Sequence, residues 1–590
     1  MLEHPTFVLG VHSGHNATAV LLYDGAVVAC ASEERFTGRK NESGLPMRSI
    51  AYVLRAANVG SRDLSGVAFA TRWRAGIFDP VATIRSPALR VLRHVHGVVA
   101  AIRWHCERAF PPARSVSRRC ENAMLRALGG VRTHRERTTL AATLNISTDL
   151  MRAFDHHVSH AAVAYYGSPY NGEDALVFTI DAEGDFLSAT VSVVQEGAWT
   201  RIAATSSDAS LGWLYFELTG YLGMKRNEHE YKVMGLAPYA KADDVQRIYD
   251  RISGLITLDP REPLRFRSTF DTRLTRWFLQ REMRERRFDS VAGAFQRLVE
   301  ERLCEWVREG VRRTGIRTVC LGGGVAMNVK ANLRIAELPE VERFWPCPSA
   351  GDESTAMGAA YLAYGERCSD AHLNPPKDLY LGPDVSHEEI VAAFDTCGAD
   401  INFRIAEPTD ITEAIAELLA AGDIVARCAG RMEWGARALG NRSILADPSN
   451  TDIVRHLNEQ VKSRDFWMPF APSILAERAR EYLVNPKDLA APYMALAFRV
   501  TPVGERHLRA AMHPYDRTVR PQVVEREANS EYHRLIRAFE RRTGIGAVLN
   551  TSFNIHGEPI VCGAREALDV FSRSGLRHLA LGRFLISKRS

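Results

Sequence analysis

The stretch ALVFTIDAEGDFLSATVSVVQEGAWTRIAAT, residues 175–205, carries the pattern on which the fold of this chain depends. Its apolar run ALVFTI predicts a buried strand, and the acidic, glycine-containing loop DAEGD follows directly. Two further strand-like runs, SATVSVVQ and WTRIAAT, are separated by Glu196-Gly197, a dipeptide typical of a hairpin turn. The stretch therefore predicts a strand, a polar loop, a strand, a turn and a strand.

The same order of elements occurs at the start of the chain. FVLGV precedes the polar loop HSGHN (12–16), ATAVLLY follows it, and Asp24-Gly25 separates that run from AVVACASEE. Two such units predict an internal duplication like that of the actin-like and sugar-kinase-like ATPases, in which each lobe offers a loop to nucleotide phosphates. Because β-hairpins are common, two unrelated hairpins are the alternative explanation.

Composition bounds the class of protein. A chain of 590 residues is too long for one core, so at least two domains are expected. A net charge of +5 with 25% charged residues gives no argument for nucleic acid as a partner. We find no signal peptide and no apolar run long enough for a membrane helix. The ten scattered cysteines lack any C-x-x-C pair, which predicts reduced thiols and a cytoplasmic protein.

Two segments indicate how the chain is divided. The proline-containing stretch LNPPKDLYLGPDVS (373–386) predicts a boundary between a first domain, 1–375, and a second domain, 376–590. Within the first domain, residues at about 85–138 are rich in arginine and predict a basic helical insertion. Such an insertion either exposes a solvated basic face or offers a docking surface to an anionic partner or substrate.

A histidine cluster in FDHHVSHAAVAYY (154–166) is the first candidate for chemistry. On a helix, His156 and His160 would share one face, about 5–6 Å apart at Cβ, close enough to bind one cation. A zinc protease is disfavoured because His157 occupies the position of the general base in H-E-x-x-H. With Asp181 and Asp352 as further ligands the set would suit iron, manganese or zinc, but histidines covering a helix are the alternative.

Two other motifs suit phosphate groups. In TVCLGGGVAMN, the glycines Gly322 to Gly324 follow a predicted strand and allow backbone N–H groups to approach a phosphate or nucleoside. GRMEWGARALGNRS (430–443) has arginines among small residues, which suits bidentate contacts to phosphate. Surface ion pairs are the structural alternative for these arginines.

Taken together, these motifs resemble those of the NodU/CmcH/TobZ carbamoyltransferases, which O-carbamoylate antibiotics and lipo-oligosaccharide signals. The resemblance extends over nearly the whole chain. In the first domain its motifs are HNATAVLLYDG with ASEERFTGRK, DHHVSHAA, TIDAEGD, EYKVMGLAPY, LGGGVAMNVKAN and SAGDESTAMGAA. In the second domain they are GRMEWGARALGNRSILADP, VKSRDFWMPFAPSIL, RPQVV and LNTSFNIHGEPIV.

The resemblance implies an α/β protein with a duplicated actin-like (ribonuclease H-like) N-terminal domain and a YrdC-like C-terminal domain. It implies that the second domain makes carbamoyl adenylate from carbamoyl phosphate and ATP, with Mg²⁺ accompanying the nucleotide. The first domain would then transfer the carbamoyl group to a hydroxyl of a small natural product or glycolipid. A divalent metal is implied there, with Fe²⁺ as the first choice and Mn²⁺ or Zn²⁺ as alternatives.

The resemblance also assigns roles to residues at matching positions. His156, His160, Asp181 and Asp352 become metal ligands, with His157 a neighbour. His15 becomes the base that accepts the proton of the hydroxyl, with His12 as the fallback. The implied nucleotide and carbamoyl phosphate contacts are Gly322, Gly323 and Asn328 in the first domain and Arg437, Lys462, Arg520, Asn550 and Ser552 in the second. Arg442 and Arg464 are the weaker candidates.

Two other functions stay open at this point. A tRNA-modifying threonylcarbamoyl transferase would use the same two domain types, and the basic insertion would favour it. A non-catalytic actin-like ATPase or chaperone would leave the arginine-rich second domain without a role. We expect a small-molecule hydroxyl acceptor and neither nucleic acid nor membrane as a partner. The acceptor's identity and the oligomeric state, a homodimer among the options, cannot be derived from the sequence.

Overall fold

The computed structural model describes residues 5–73, 102–104, 106, 113–368, 372–397, 403–462 and 464–589. The chain forms two compact units. The first unit comprises Met1–Glu33 and Asn41–Pro376, and the second comprises Glu34–Lys40 and Lys377–Ser590. A short N-terminal segment thus belongs to the second unit, although its neighbours in sequence on both sides belong to the first.

The first unit contains two five-stranded sheets built to the same plan. In each sheet, the first three strands form an antiparallel meander. A fourth strand pairs in parallel with the first strand, and a fifth pairs in parallel with the fourth. In spatial order, one sheet has Ala26–Ser32, Thr18–Tyr23, Phe7–His12, Leu64–Phe69 and Met151–Ala153. The other has Ala198–Ser206, Leu187–Gln195, Ala175–Gly184, Thr318–Gly322 and Arg343–Pro346. The predicted duplication and α/β fold class are thereby confirmed.

The two hairpin turns are equivalent as well. Asp24 and Gly25 have φ values of 45° and 78°, and Glu196 and Gly197 have φ values of 50° and 78°. Positive φ at both central residues is the type I′ geometry, which matches the twist of the flanking strands. The predicted two-residue turns are therefore confirmed in both halves.

Helices cover the sheets of the first unit. They span Met47–Ala56, Ala113–Leu144, His156–Tyr166, Leu211–Tyr221, Glu230–Leu236, Ala242–Ile252, Thr275–Glu282, Phe288–Thr314, Val329–Ala336 and Thr355–Arg367. A small two-stranded sheet pairs Ile256–Leu258 with Phe266–Ser268. Of the predicted basic insertion, residues 85–101, 105 and 107–112 lie outside the described residues, and the remainder from Ala113 belongs to the long helix.

Helix Thr355–Arg367 is held unusually close to its neighbours by glycines. A Cβ atom on Gly358 would lie 1.8 Å from the carbonyl oxygen of Ser159, in the histidine-bearing helix. A Cβ atom on Gly10, in the first strand, would lie 2.1 Å from the carbonyl oxygen of Ala356. These backbone contacts bring the residues just before the helix, including Asp352, toward the histidines.

The second unit has a mixed eight-stranded sheet. In spatial order its strands are Phe403–Ala406, Phe584–Lys588, His578–Leu581, Val425–Cys428, Arg442–Ala446, Ala547–Ser552, Ala471–Leu475 and Gln522–Val524. A three-stranded sheet contains Leu483–Val484, Phe498–Val500 and Thr518–Val519. The helices span Glu34–Thr37, His387–Cys397, Ile411–Ala420, Asp452–Leu457, Ala479–Tyr482, Pro502–His507, Ser530–Thr543 and Ala564–Arg573. This α/β architecture agrees with the predicted fold class.

Apolar side chains from the sheet and its helices form the core of the second unit, among them Ile444, Leu549, Phe553, Phe571 and Leu579. Within the described residues, no helix combines the length and the apolar character that crossing a bilayer requires.

The close contact of Gly358 with the backbone of Ser159 predicts that alanine at position 358 destabilises the protein, although alanine has a higher helix propensity than glycine. Gly358→Ala should lower the free energy of unfolding by about 1–3 kcal/mol because its methyl group overlaps the backbone at Ser159. Gly365→Ala is the matched control in the same helix, where a Cβ meets nothing within 4 Å. There alanine should raise stability by up to about 1 kcal/mol. Urea unfolding followed by circular dichroism measures both, and equal midpoints for the two variants would contradict the packing argument.

Candidate functional site

The histidine-bearing helix begins at His156 because the side chain of Asp155 caps it, accepting a hydrogen bond of 3.0 Å from the backbone N–H of Val158. The i, i+4 spacing places His156 and His160 on one face, as expected from the sequence, and their Nε2 atoms are 3.1 Å apart. Both rings are buried. The two Nε2 atoms are therefore close enough to act as ligands of one cation.

Two aspartates complete the group. Asp181 lies near the end of strand Ala175–Gly184, and its Oδ2 is 3.2 Å from Nε2 of His160. Asp352 lies just before helix Thr355–Arg367, and its Oδ1 is 3.5 Å from Nε2 of His156. One ligand atom from each of the four residues lies within 4.8 Å of all the others. We refer to His156, His160, Asp181 and Asp352 as the four-ligand group.

The four-ligand group attracts positive charge. Burial alone would lower the pKa of His156, but the carboxylates of Asp352 and Asp181 outweigh burial and raise that pKa to about 9. Burial alone would likewise raise the pKa of both carboxyl groups, yet the histidines hold it well below the usual range. Two imidazole nitrogens and two carboxylates are a donor set that fits a first-row divalent cation. The side chains therefore fit the metal that the resemblance implies.

His157 lies between the two ligand histidines in sequence, and hydrogen bonds within the protein hold its ring. Its Nδ1 is 2.8 Å from the hydroxyl of Thr179, and its Nε2 is 3.1 Å from the carbonyl oxygen of Leu187. Because both ring nitrogens already have partners, His157 has no nitrogen to offer to the four-ligand group.

His15 and His12 lie near Oδ2 of Asp352, whereas His156 and His160 lie near its Oδ1. Nδ1 of His15 is 3.5 Å from Oδ2 of Asp352, and the His15 side chain is 31% exposed. His12 is only 3% exposed, and its ring nitrogens are 3.0 Å from the hydroxyl of Thr355 and 3.2 Å from the carbonyl oxygen of His15. Accessibility therefore favours His15 over His12 as the group that meets a substrate.

The first polar loop also contacts the long insertion helix, which sequence reasoning did not anticipate. The hydroxyl of Ser13 donates a hydrogen bond of 2.6 Å to Oε2 of Glu136, and Nε of Arg132 donates to Oε1 of the same carboxylate at 3.0 Å. Glu136 has no motif around it, so only the tertiary structure identifies it as a neighbour of the loop that carries His15.

The glycine turn predicted to bind nucleotide also supports Asp181. Gly323 has a φ of 90°, and a Cβ there would lie 2.2 Å from the carbonyl oxygen of Ile180. The next residue, Gly324, donates its N–H to Oδ2 of Asp181 at 3.1 Å. Gly322 ends the preceding strand, and Oδ1 of Asn328 caps the following helix at the N–H of Ala331. The turn is shaped to let the backbone approach Asp181.

In the second unit, the loop Gly435–Asn441, here named the arginine loop, carries Arg437. Burial lowers the pKa of Arg520 well below its usual range, and the charges of Arg437 and Arg464 lower it further. Nε of Arg520 is buried and has no hydrogen-bond partner among the described residues. Positive groups that depress one another's pKa in this way are typical of a site prepared for an anion.

Lys462 joins the same group of cations. Its side chain is 1% exposed, and its pKa is held well below the usual range by burial and by the charges of Arg464 and Lys40. Nζ of Lys462 lies 3.2 Å from the hydroxyl of Ser552 and 2.6 Å from Oδ1 of Asn554. We refer to Arg437, Lys462, Arg464 and Arg520 as the cation cluster. Asn554 was not among the expected site residues.

Asn550 and Arg442 differ in what they can offer. Asn550 is 1% exposed, its Nδ2 donates to the hydroxyl of Ser473 at 3.0 Å, and its Oδ1 is buried without a partner among the described residues. The side chain of Arg442 is buried inside the fold. It donates to the carbonyl oxygens of Pro383, Ala429, Gly430, Asn441 and Cys562. Arg442 thus supports the neighbouring backbone.

Comparison with known proteins assigns the chain to a family. The profile described as "Carbamoyltransferase N-terminus" matches residues 8–361, and that described as "Carbamoyltransferase C-terminus" matches residues 416–588. An uncharacterised protein of Synechocystis sp. is 30% identical over 99% of this chain and 97% of its own length. Nodulation protein NolNO of Sinorhizobium fredii is 32% identical over 98% of this chain and 79% of its own length.

Solved structures add little to this assignment. Component A of the (R)-2-hydroxyglutaryl-CoA dehydratase of Acidaminococcus fermentans covers 61% of this chain and 98% of its own, at 15% identity. Its TM-score of 0.30 is too low to bear on the fold. The two family profiles, which together span most of the chain, carry the conclusion: the protein belongs to the carbamoyltransferase family and is a transferase.

Proposed function

We propose that the protein is an ATP-dependent O-carbamoyltransferase. The second unit would form carbamoyl adenylate from carbamoyl phosphate and ATP, and the first unit would transfer the carbamoyl group to a hydroxyl of a small natural product or glycolipid. The observation that carries this proposal is the division of chemistry between the units. One unit has a cluster of cations suited to phosphates, and the other has a four-ligand group that could hold a cation beside a histidine that is 31% exposed.

Adenylate formation is assigned to the cation cluster because both substrates are polyanions. Carbamoyl phosphate and one water molecule would give carbamate and inorganic phosphate, and a carbamate oxygen would then displace pyrophosphate from the α-phosphorus of ATP. Charge builds up on phosphate oxygens in both events. Arg437 and Arg520 would bind those oxygens through their planar guanidinium groups, and the ammonium of Lys462 would add a point charge. The product is an anhydride whose carbonyl is open to attack.

Transfer is assigned to the first unit. The acceptor oxygen attacks the carbonyl carbon, the bond to the AMP oxygen breaks, and the hydroxyl proton must move to a base. We assign this role to His15 because its ring is accessible and its Nδ1 lies 3.5 Å from Oδ2 of Asp352, which would orient it. His156, His160, Asp181 and Asp352 would hold a divalent cation, Fe²⁺ as the first choice, which when bound would stabilise negative charge on the departing AMP phosphate.

The acceptor would approach along the insertion helix Ala113–Leu144. The contact between Ser13 and Glu136 joins this helix to the loop that carries His15. A helix that contacts the loop carrying His15 would lie close to the attacking hydroxyl and could select among acceptors. This contact supports an acceptor-facing role for the described part of the basic insertion.

The metal assignment predicts a loss of bound metal from a single histidine substitution. His160→Ala removes one of four ligands from a buried site, so bound iron should fall by at least about tenfold and transfer should stop. Elemental analysis of the purified protein measures the metal content. His134→Ala is the matched control, because His134 is exposed on the insertion helix and outside the four-ligand group. A His160→Ala protein with full metal content and full activity shows the assignment to be wrong.

The two-step proposal predicts that two variants separate the half-reactions. Arg520→Ala should stop carbamoyl-phosphate-dependent release of pyrophosphate, since a methyl group cannot bind a phosphate. His15→Asn should keep that release but slow acceptor-dependent product formation by about 10²–10⁴-fold, since asparagine cannot take a proton at neutral pH. Pyrophosphate and carbamoylated product are measured side by side in both variants.

The two outcomes that contradict this scheme are distinct. If both variants remain folded and lose both activities equally, the assignment of the steps to separate units fails. If His15→Asn transfers at the wild-type rate, only the role of His15 falls, and His12 is the next candidate for the base.

A further inference from the structure

The hairpin turn formed by Asp185 and Phe186 has a strained backbone. Their φ values are 48° and 70°, the left-handed region that disfavours a bulky side chain. The other two hairpin turns of the first unit, Asp24-Gly25 and Glu196-Gly197, have glycine at the second position. Such strain persists where the surrounding structure holds it in place, and it concentrates at functional sites. We therefore asked what the side chains of this turn contact.

The carboxylate of Asp185 accepts hydrogen bonds from three backbone N–H groups that belong to two separate segments. Its Oδ2 accepts from the N–H of His156 at 2.9 Å and from that of Arg72 at 3.1 Å. Its Oδ1 accepts from the N–H of Trp73 at 2.9 Å. Asp185 therefore joins the first residue of the histidine-bearing helix to residues 71–73, which follow the fourth strand of their sheet.

The imidazole ring of His156 contacts both the turn and residues 71–73. A Cβ atom on Gly184 would lie 1.9 Å from Cδ2 of His156, so glycine is required for the ring to lie against the backbone just before the turn. The hydroxyl of Thr71 is 3.5 Å from Nδ1 of His156, the ring nitrogen that does not face the four-ligand group. A partner at the second nitrogen is the usual means of orienting a histidine that binds a metal.

The turn and residues 71–73 also contact the insertion helix Ala113–Leu144. The guanidinium of Arg126 lies over the ring of Phe186, 4.9 Å from its centroid. A Cβ atom on Gly130 would lie 3.2 Å from the indole ring of Trp73. Since these two positions are four residues apart, they share one face of the helix. That face therefore packs on both of the segments that the carboxylate joins.

We infer that Asp185 is a positioning residue for the proposed metal ligand His156, and that the strained turn links the insertion helix to the four-ligand group. The carboxylate fixes the start of the histidine-bearing helix, and the ring of Phe186 makes the contact with the insertion helix. The inference deepens the proposed function and rests on it, because there the four-ligand group holds a divalent cation and the acceptor approaches along this helix.

The test uses the full chain, freed of metal with a chelator, and Co²⁺ alone as the probe. Competition with a metal indicator gives the dissociation constant of Co²⁺, and the visible absorption bands of bound Co²⁺ report its coordination. The variants are Asp185→Ala, Asp185→Asn and Phe186→Gly. Asp174→Ala is the matched control, because Oδ1 of Asp174 also accepts a backbone N–H from a turn residue of the same sheet, Glu196, at 2.9 Å. Urea unfolding of the metal-free proteins measures stability.

Asp185→Ala should raise the dissociation constant of Co²⁺ by about 10–100-fold and change the absorption bands, as expected when a ligand loses its supporting partner. Asp185→Asn should lose less affinity, since its amide oxygen still accepts hydrogen bonds. Asp174→Ala should stay within about twofold of the wild type, because it lies outside this set of contacts.

Phe186→Gly separates a positioning role from a structural one. Glycine relieves the positive φ, so the urea midpoint should stay at or above that of the wild type. The dissociation constant of Co²⁺ should nevertheless rise by about 3–10-fold, because the contact with Arg126 is lost. A residue with a structural role alone would lower the urea midpoint and leave Co²⁺ binding by the folded protein unchanged.

The possible results distinguish the inference from the proposed function. Wild-type affinity and spectrum in both Asp185 variants overturn the positioning role, and if Asp185→Ala does not fold, Asp185→Asn alone decides. Wild-type affinity in Phe186→Gly overturns the link to the insertion helix. An equal loss in Asp174→Ala also overturns the inference. No binding of Co²⁺ by the wild type overturns the inference together with the metal assignment. Weakened binding in the Asp185 variants of a protein whose wild type releases no pyrophosphate from ATP with carbamoyl phosphate supports the inference and removes the proposed reaction.

Discussion

Two carboxylates held largely out of water next to each other repel, and the first unit must compensate for that repulsion. Asp181 and Asp352 face the same pair of imidazole nitrogens, and each side chain is only 14% exposed. In a medium of low dielectric constant such a pair requires positive charge nearby, whether a proton or a metal cation. The capped histidine helix, the glycine turn next to Asp181 and the closely held helix after Asp352 all serve to fix these atoms.

The second unit has the converse arrangement. Its cations depress one another's pKa, since the charge of Arg464 lowers the pKa of both Lys462 and Arg520. The first unit has a site with two carboxylates, and the second has a site with several positive side chains. This division agrees with the proposed reaction, which would bind phosphate groups in its first step and use a metal cation and a base in its second. Arg442 illustrates that a charge in such a motif is not always available to a ligand, because five backbone carbonyls occupy its guanidinium.

Local pattern predicted those parts of the structure that depend on local geometry. The i, i+4 spacing of His156 and His160, the two Asp-Gly and Glu-Gly turns and the repeated order of strands could be derived from periodicity and turn chemistry alone. Asp352 could not be placed in this way, because its position depends on the contact between Gly358 and Ser159, far apart in sequence. The sequence offered it only as a candidate ligand, and the resemblance to a family assigned it that role.

The same limit applies to Arg437 and Arg442, which stand five residues apart in one motif. Their surroundings differ because Arg437 lies in a loop and Arg442 begins a buried strand. The composition of the motif does not indicate which of its arginine side chains is buried. Glu136 and Arg35 were not among the expected site residues. Their partners, Ser13 and Gly435, are distant in sequence, so no local window contains both members of either pair.

Within the second unit, Nη2 of Arg35 donates a hydrogen bond to the carbonyl oxygen of Gly435, and this contact has a consequence for how the protein is made. The two residues are 400 positions apart in the chain. At about 5–20 residues per second, the ribosome needs roughly 20–80 s after Arg35 to produce its acceptor. During that interval the strands around Glu34–Lys40 can pair while the segment waits without its binding site. The second unit must therefore capture a piece of chain that was synthesised first, and a truncated product lacking Gly435 leaves that guanidinium without its carbonyl.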